Sequence, residues 1–255
     1  MSKRVWNSFL IAFSMFSKVP MPQADWDKEN MKYMMCFFPG IGVVIGLLAY
    51  GYGSLCVWAD FGSLMRAVGF VVLPVAVTGG IHLDGFLDTI DALSSCQPKE
   101  RKLAILKDSH AGAFAIIMGC IYFLLMLGAF SELSLHALPV LCVGYVVSRC
   151  CSGLALVFFP CANQKGSLGM FADAAQKRVV LIALLLWLVL SAVVAFWLNT
   201  GLSVLLFLTA VVAYGYYYYV AIKEFGGTTG DIAGFFVQVC ELMFVYALML
   251  GGKWL

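Results

Sequence analysis

Charged residues are scarce in this chain. Of its 255 residues, 12% are Asp, Glu, Lys or Arg and 62% are hydrophobic, whereas a soluble domain carries about 25% charged residues. The mean hydropathy is +0.94. So little polar surface could not coat a water-soluble globule. The net charge of only +2 gives no basis for a nucleic-acid partner, and we expect none.

The nine cysteines form no C-x-x-C pair, and most of them lie inside apolar runs. Cysteines so placed behave as small buried hydrophobes. The sequence therefore supports neither a disulfide framework nor a zinc site.

The hydrophobic residues come in blocks of about 20, the length that crosses a hydrocarbon core of about 30 Å as a helix. The alternating segments of about 10 residues that a membrane barrel needs do not occur. We therefore predict an all-α polytopic integral membrane bundle, a single domain over 1–255 with about seven transmembrane helices. The predicted spans are 33–58, 64–81, 113–130, 136–159, 179–198, 202–222 and 232–251.

The N-terminal segment 1–32 has a basic start and a short apolar stretch, but it lacks the small-residue cleavage site of a signal peptide. Lys18 and Pro20 close the stretch. We expect an interfacial amphipathic helix over Val5–Ser17, with Trp6 and Phe9 toward lipid.

Basic residues predict the orientation. Of the 16 Lys and Arg residues, five precede the first span, four lie in the connection 82–112, three in 161–178 and one in 223–231. All of these segments share one side of the predicted bundle. The positive-inside rule makes that side cytoplasmic, with the N-terminus inside and the C-terminus outside.

Three acids follow the second predicted span within "TGGIHLDGFLDTIDAL". If 82–93 is helical, Asp84, Asp88 and Asp91 project from one stripe, at spacings of four and three residues. Like charges so close repel one another and need a counter-ion. A hard divalent cation such as Mg²⁺, which takes carboxylate, water and phosphate oxygens, fits that need. The alternative is a solvated helix end. His82 points away from Asp84 on an ideal helix and is either an interfacial polar residue or a weaker ligand candidate.

The stretch "LKDSHAGAF" places Lys107, Asp108, Ser109 and His110 before the third span. Asp108 or Ser109 could cap that helix. Alternatively, the helix start is a phosphate site aided by Lys107, and His110 carries a proton near neutral pH.

The stretch "KEFGGTTGDIAG" precedes the last span and contains Gly227, Thr228, Thr229, Gly230 and Asp231. It resembles a glycine-rich anion loop feeding a helix, without the Lys spacing of a P-loop. The alternative is a flexible connector in which Asp231 is the N-cap.

Arg149 and Glu241 are ionisable residues inside predicted spans, where charge is costly and faces the bundle interior or a wet cavity. They either pair with each other, or the planar guanidinium group of Arg149 contacts a substrate phosphate.

Together these stretches carry a resemblance. "GGIHLDGFLDTIDAL" resembles the signature of the cobalamin-5'-phosphate synthase family, also called adenosylcobinamide-GDP ribazoletransferases. "FSKVPMP", "FFPGIGVVIG", "KDSHAGAF", "VSRC" and "GGTTGDIAG" resemble its other segments in the same order. His110 stands where the family usually has Arg, and "PCANQKGSLG" lacks an Arg often found there, leaving Lys165.

The resemblance implies a Mg²⁺-dependent transferase in cobalamin assembly. Such an enzyme joins adenosylcobinamide-GDP to α-ribazole or its 5'-phosphate and releases GMP. Asp84, Asp88 and Asp91 would hold Mg²⁺, and one of them or His110 would accept the hydroxyl proton. The implied substrate-binding residues are His82, Lys107, Asp108, Ser109, Arg149, Gly227, Thr228, Thr229, Gly230, Asp231 and Glu241.

The expected partners are these small molecules and the lipid bilayer of a bacterial or archaeal cell membrane, with a homo-oligomer possible and the active site cytoplasmic. One rival is another membrane-embedded Mg²⁺-dependent transferase acting on a diphosphate, such as a CDP-alcohol phosphotransferase. Its Asp-Gly-x-x-Ala-Arg pattern fails here, because Asp84-Gly85 is followed by Phe86, Leu87 and Asp88. A transporter is the rival of another class, but the acids cluster at one face rather than at the midplane.

Overall fold

The computed structural model describes residues 2–108, 110–162 and 167–254, and twelve helices make up most of these ranges. In chain order they are α1 Ser2–Phe16, α2 Lys28–Met31, α3 Met34–Trp58, α4 Ser63–Thr78, α5 Ile81–Ser94, α6 Lys99–Ile105, α7 Ala113–Glu132, α8 Leu138–Phe158, α9 Ser167–Ala174, α10 Lys177–Leu198, α11 Thr200–Phe225 and α12 Gly230–Gly251.

Six of these helices, α3, α7, α8, α10, α11 and α12, are long and apolar enough to cross a membrane, and a seventh span arises if α4 and α5 are taken together. The protein is thus a multi-pass membrane bundle, as predicted. The ends of the six spans agree with the predicted ones within three residues.

The second predicted span, 64–81, is wrong as a single helix. α4 ends at Thr78, and α5 leaves it at an angle of 96°. Gly79 and Gly80 lie between the two helices with φ of 65° and 81°, the left-handed region that only glycine adopts readily. Two such residues in succession break the helix and turn the acid-bearing segment away from the α4 axis.

The centre of the bundle is α8, packed against α3, α10 and α12. The most apolar stretch of α8 is 78% buried, whereas that of α10 is 22% buried and faces outward. α3 and α8 approach closely at Gly42, where a Cβ would lie 2.3 Å from the carbonyl oxygen of Tyr145. A small residue there lets two membrane helices touch along their backbones.

The N-terminal helix is confirmed as α1, which packs against α3. Trp6 is exposed, as expected for a lipid-facing ring. Phe9 is half-buried, because its ring stacks on that of Trp6 at 5.2 Å and also packs against Phe13 and Phe37. The direction of Phe9 toward lipid stays a prediction. The interfacial position of α1 stays a prediction.

The predicted connection 82–112 is itself largely helical, because it contains α5 and α6. Lys102 on α6 forms a partly buried ion pair with Glu224 near the end of α11. Lys99 also donates a hydrogen bond to the carbonyl of Ile222 at 3.3 Å. These contacts hold the connection against the end of α11, next to the loop that precedes α12.

Candidate active site

Asp84, Asp88 and Asp91 lie on α5, and the segment is helical, as their predicted alignment on one stripe requires. The helix packs along α12 through glycines on both sides. A Cβ at Gly85 would lie 2.7 Å from the carbonyl oxygen of Asp231, and a Cβ at Gly234 would lie 3.0 Å from that of His82. This backbone contact brings Asp231, far away in sequence, to the same place as Asp84.

The four carboxylates act on one another. The pKa of Asp88, on α5 outside the six spanning helices, is raised to about 6, first by burial and then by the charges of Asp84, Asp231 and Asp91. None of the four forms an ion pair with a Lys, Arg or His among the described residues. The site therefore holds negative charge that no described basic side chain neutralises.

Asp91 connects α5 to the start of α7. A Cβ at Gly112, the residue before α7, would lie 2.1 Å from Oδ1 of Asp91. The Asp91 carboxylate therefore rests directly on this backbone. It brings the "KDSHAGAF" segment to the acids.

The capping role considered for Asp108 is wrong, because Gly112 is the N-cap of α7 and none of the described side chains caps it. The carboxylate of Asp108 instead accepts a hydrogen bond from the backbone N–H of His110 and pairs with its Nδ1 at 2.8 Å. The hydrogen bond from His110 lowers the pKa of Asp108 below its usual value. The His110 side chain is 91% exposed, and Lys107 is exposed as well. Ser109 lies outside the described residues.

The "GGTTGD" segment is held by hydrogen bonds on several sides, so the flexible-connector alternative is wrong. The backbone of Thr228 bonds to Pro160 and Ala162 at 2.8 and 3.0 Å, and its hydroxyl lies 2.6 Å from that of Tyr217. Gly227 fits against this bridge, since a Cβ there would lie 2.5 Å from the Pro160 oxygen.

Thr229, and not Asp231, is the N-cap of α12, because its hydroxyl accepts the N–H of Ile232 at 3.3 Å. Gly230 and Asp231 form the first turn of that helix and line the cavity described below. The cap thus leaves the Asp231 carboxylate beside the α5 acids.

Arg149 and Glu241 form a buried ion pair between α8 and α12, which confirms the pairing alternative. Arg149 is fully buried, and its Nη1 also donates to the carbonyl of Tyr145 at 2.8 Å. Ser148 donates a hydrogen bond to the same Glu241 oxygen at 3.0 Å. A direct contact of either charge with substrate stays a prediction.

A cavity of about 120 Å³ lies at the first turn of α5. His82, Asp84 and Asp231 line it together, because the cavity wraps around that turn. Sequence reasoning missed its apolar wall, to which Phe16 and Phe38 belong. These residues come from α1 and α3, and only the "FSKVP" and "FFPG" motifs signalled them.

Lys18 was also missed as a site residue. Its side chain covers Gly79, where a Cβ would lie 2.2 Å from Lys18 Cε. The backbone N–H of Lys18 donates a hydrogen bond to the carbonyl oxygen of Val77 at 2.7 Å. An exposed cation thus stands at the break that leads into α5.

The acids at this site offer the oxygen donors that the expected Mg²⁺ prefers. Within the described ranges, no three His, Cys, Asp or Glu side chains are arranged to hold a metal ion. Mg²⁺ typically takes only one or two carboxylates and completes its shell with water and phosphate oxygens. Asp84 and Asp231 line the cavity and supply the one or two carboxylates that such a site needs.

Comparison with known proteins gives consistent results. The model of the family described as cobalamin-5-phosphate synthase matches residues 8–249. A protein of Lachnoclostridium phytofermentans named adenosylcobinamide-GDP ribazoletransferase is 43% identical over 247 residues, which cover 96% of this chain and 94% of the relative.

Relatives of the same name are more distant in other bacteria. One from Clostridium botulinum strain Alaska E43 is 31% identical, covering 97% of this chain and 99% of its own length. One from Brevibacillus brevis is 30% identical with the same coverage. No solved structure matches the chain. The family match and these relatives span nearly the whole sequence, and this chain belongs to the cobalamin-5-phosphate synthase family.

Proposed function

We propose that this protein joins adenosylcobinamide-GDP to α-ribazole or α-ribazole 5'-phosphate and releases GMP, in a reaction that depends on Mg²⁺. The observation that carries the proposal is the meeting of acids from two helices. Asp84 on α5 and Asp231 on α12 line one cavity, and their charges, together with that of Asp91, act on Asp88. The names of the relatives supply the substrates.

In the proposed transfer, a ribose hydroxyl of the ribazole forms a bond to the phosphorus next to the cobinamide arm. The bond from that phosphorus to the GMP oxygen breaks, and GMP leaves with the electron pair. Bound Mg²⁺ would neutralise the diphosphate and polarise its phosphorus. One or two of the carboxylates of Asp84, Asp88, Asp91 and Asp231 would hold it, and water and phosphate oxygens would complete its shell.

The remaining rate enhancement comes from the positioning of the reacting groups, which supplies much of the catalysis in phosphoryl transfer. The α5–α12 contact at Gly85 fixes two of the acids. The contact of the Asp91 carboxylate with Gly112 fixes a third. The proton of the attacking hydroxyl passes to one carboxylate of the group or to His110, which stands in the loop joined to it. We also propose that this face of the membrane is cytoplasmic, because most basic residues lie on it.

The test is GMP release by purified protein in liposomes, with both substrates present. We expect turnover to require both Mg²⁺ and ribazole. Asp84→Asn should lower it by at least about 100-fold, since oxyanion- and metal-type charge stabilisation is worth that much.

Asp60→Asn is the matched control. It makes the same change in the loop between α3 and α4, at the opposite end of the bundle. Asp60 has φ of 52°, a conformation that Asn also tolerates, so this variant should behave as wild type. Equal rates for the wild type and Asp84→Asn would refute the metal role.

A further inference from the structure

The cavity at the first turn of α5 is apolar over most of its wall. Met35 and Phe38 of α3, Phe16 of α1, Leu156 of α8 and Phe171 of α9 line it. The carboxylates of Asp84 and Asp231 stand at its other side, and Asp84 is exposed. An aromatic compartment therefore adjoins the acids at which the proposed transfer takes place.

His82 stands in this compartment with unused hydrogen-bonding capacity. It is 5% exposed, and its ring lies 6.2 Å from that of Phe16 and 5.7 Å from that of Phe38. Neither Nδ1 nor Nε2 has a hydrogen-bond partner in the part of the chain that the structure describes. Buried polar atoms are nearly always paired with protein, water or ligand, so this ring is free to take a partner that the described residues do not supply.

We propose that this cavity receives the aromatic base of the ribazole and that His82 donates a hydrogen bond to the free ring nitrogen of that base. The inference rests on the proposed function and assigns one substrate to one side of its site. With the base among the phenylalanines, the attached ribose faces Asp84 and Asp231, where its hydroxyl would react.

The size of the cavity admits about one six-membered ring, so the rest of a benzimidazole nucleoside would extend through its open side. Its 120 Å³ is comparable to the roughly 150 Å³ cavity that holds a benzene ring in another protein. A corrin macrocycle is too large for it. The side toward the exposed Asp84 leaves room for the remainder of a nucleoside.

The polarity of the cavity favours a benzimidazole over the guanine of the second substrate. Guanine presents several donors and acceptors along its edge, and each needs a partner when buried. A dimethylbenzimidazole presents methyl groups to the apolar wall and one ring nitrogen that accepts a hydrogen bond. The neutral ring of His82 carries one N–H donor to match it.

The test compares two nucleosides that differ at one atom. α-Ribazole has the accepting ring nitrogen, and the corresponding α-riboside of 5,6-dimethylindole has a C–H there. For wild type we expect the KM of the indole analogue to be about tenfold higher, the effect of losing one buried hydrogen bond. In His82→Phe the two KM values should become equal, while the KM for adenosylcobinamide-GDP stays within about twofold.

His136→Phe is the control, because His136 is near the opposite end of the bundle, where its ring contacts Ser134. It should keep the full discrimination. Discrimination that persists in His82→Phe would overturn the proposal. So would a rise in the KM for adenosylcobinamide-GDP alone, which would assign the cavity to guanine.

A second variant keeps the test decisive if His82→Phe does not fold. Ala233→Leu fills the cavity from α12 and should raise the KM for α-ribazole selectively. Equal rises for both substrates would count against the inference. Equilibrium dialysis of labelled α-ribazole separates the two proposals, because binding without any GMP release refutes the proposed function and leaves the base site standing.

Discussion

Gly85→Ala is the sharpest test of how the two acid-bearing helices are joined. The added Cβ would lie 2.7 Å from the Asp231 oxygen and 2.8 Å from its Cα. Ordinary contact needs about 3.5 Å, so the backbones must separate by roughly 0.8 Å. Both neighbouring atoms belong to the main chain of α12 and cannot rotate away as a side-chain end could.

Two consequences follow from that displacement. Overpacking of this kind costs about 1–3 kcal/mol of folding free energy, which lowers the melting temperature of a chain of this size by several degrees. A shift approaching 1 Å between groups that position the reacting atoms costs about 100-fold in rate. We therefore expect GMP release to fall by roughly two orders of magnitude while most of the protein remains folded.

The assay is GMP release at saturating substrates, with thermal unfolding in detergent measured on the same preparations. Gly128→Ala is the matched control, because a Cβ at Gly128 on α7 meets nothing within 4 Å. It should retain full activity and equal or slightly higher stability, since Ala favours helix over Gly by about 1 kcal/mol. If Gly85→Ala keeps more than a third of wild-type activity, the close α5–α12 contact is not what positions Asp231.

The remaining predictions concern charge and orientation. Without divalent cations, the raised pKa of Asp88 means that its contribution to stability is fully present at low pH and is lost as the pH rises from its usual value of 3.8 to about 6. Asp88→Asn should flatten that part of the melting-temperature profile, and an unchanged slope would contradict the charge coupling. Glu241→Leu leaves Arg149 buried without its partner and should lower the free energy of unfolding by about 3–5 kcal/mol. The double variant with Arg149→Leu should recover most of that loss, as measured by thermal unfolding. For orientation, a membrane-impermeant maleimide applied to intact cells should spare the exposed Cys96 and label a Trp254→Cys variant, and the reverse pattern would invert the proposed topology.

The spanning helices could be predicted from sequence because each is a separate apolar block with polar ends. The acid stripe on α5 could be predicted as well, since the spacing of Asp84, Asp88 and Asp91 determines it once the segment is helical. These are local properties of the chain. They depend on nearest neighbours and on the thickness of the bilayer.

Gly79 and Gly80 allow a break in the helix, but hydropathy does not report backbone direction, so the predicted second span runs through them to residue 81. Two left-handed glycines change the path of the chain without changing its composition. The aromatic cavity was missed for a related reason. Its walls come from six helices, and a single sequence gives no measure of which distant apolar residues face one another.

The short length of α4 has a consequence for the membrane around the protein. Its 16 residues extend about 24 Å, less than the hydrocarbon thickness of about 30 Å. If α4 crosses the membrane by itself, lipids next to it compress to match it, and the bilayer is indented at the point where the chain turns into α5. Water-soluble nucleotides can then reach the carboxylates in a shallow basin below the level of the surrounding headgroups. Activity in vesicles should accordingly decline as the acyl chains are made longer.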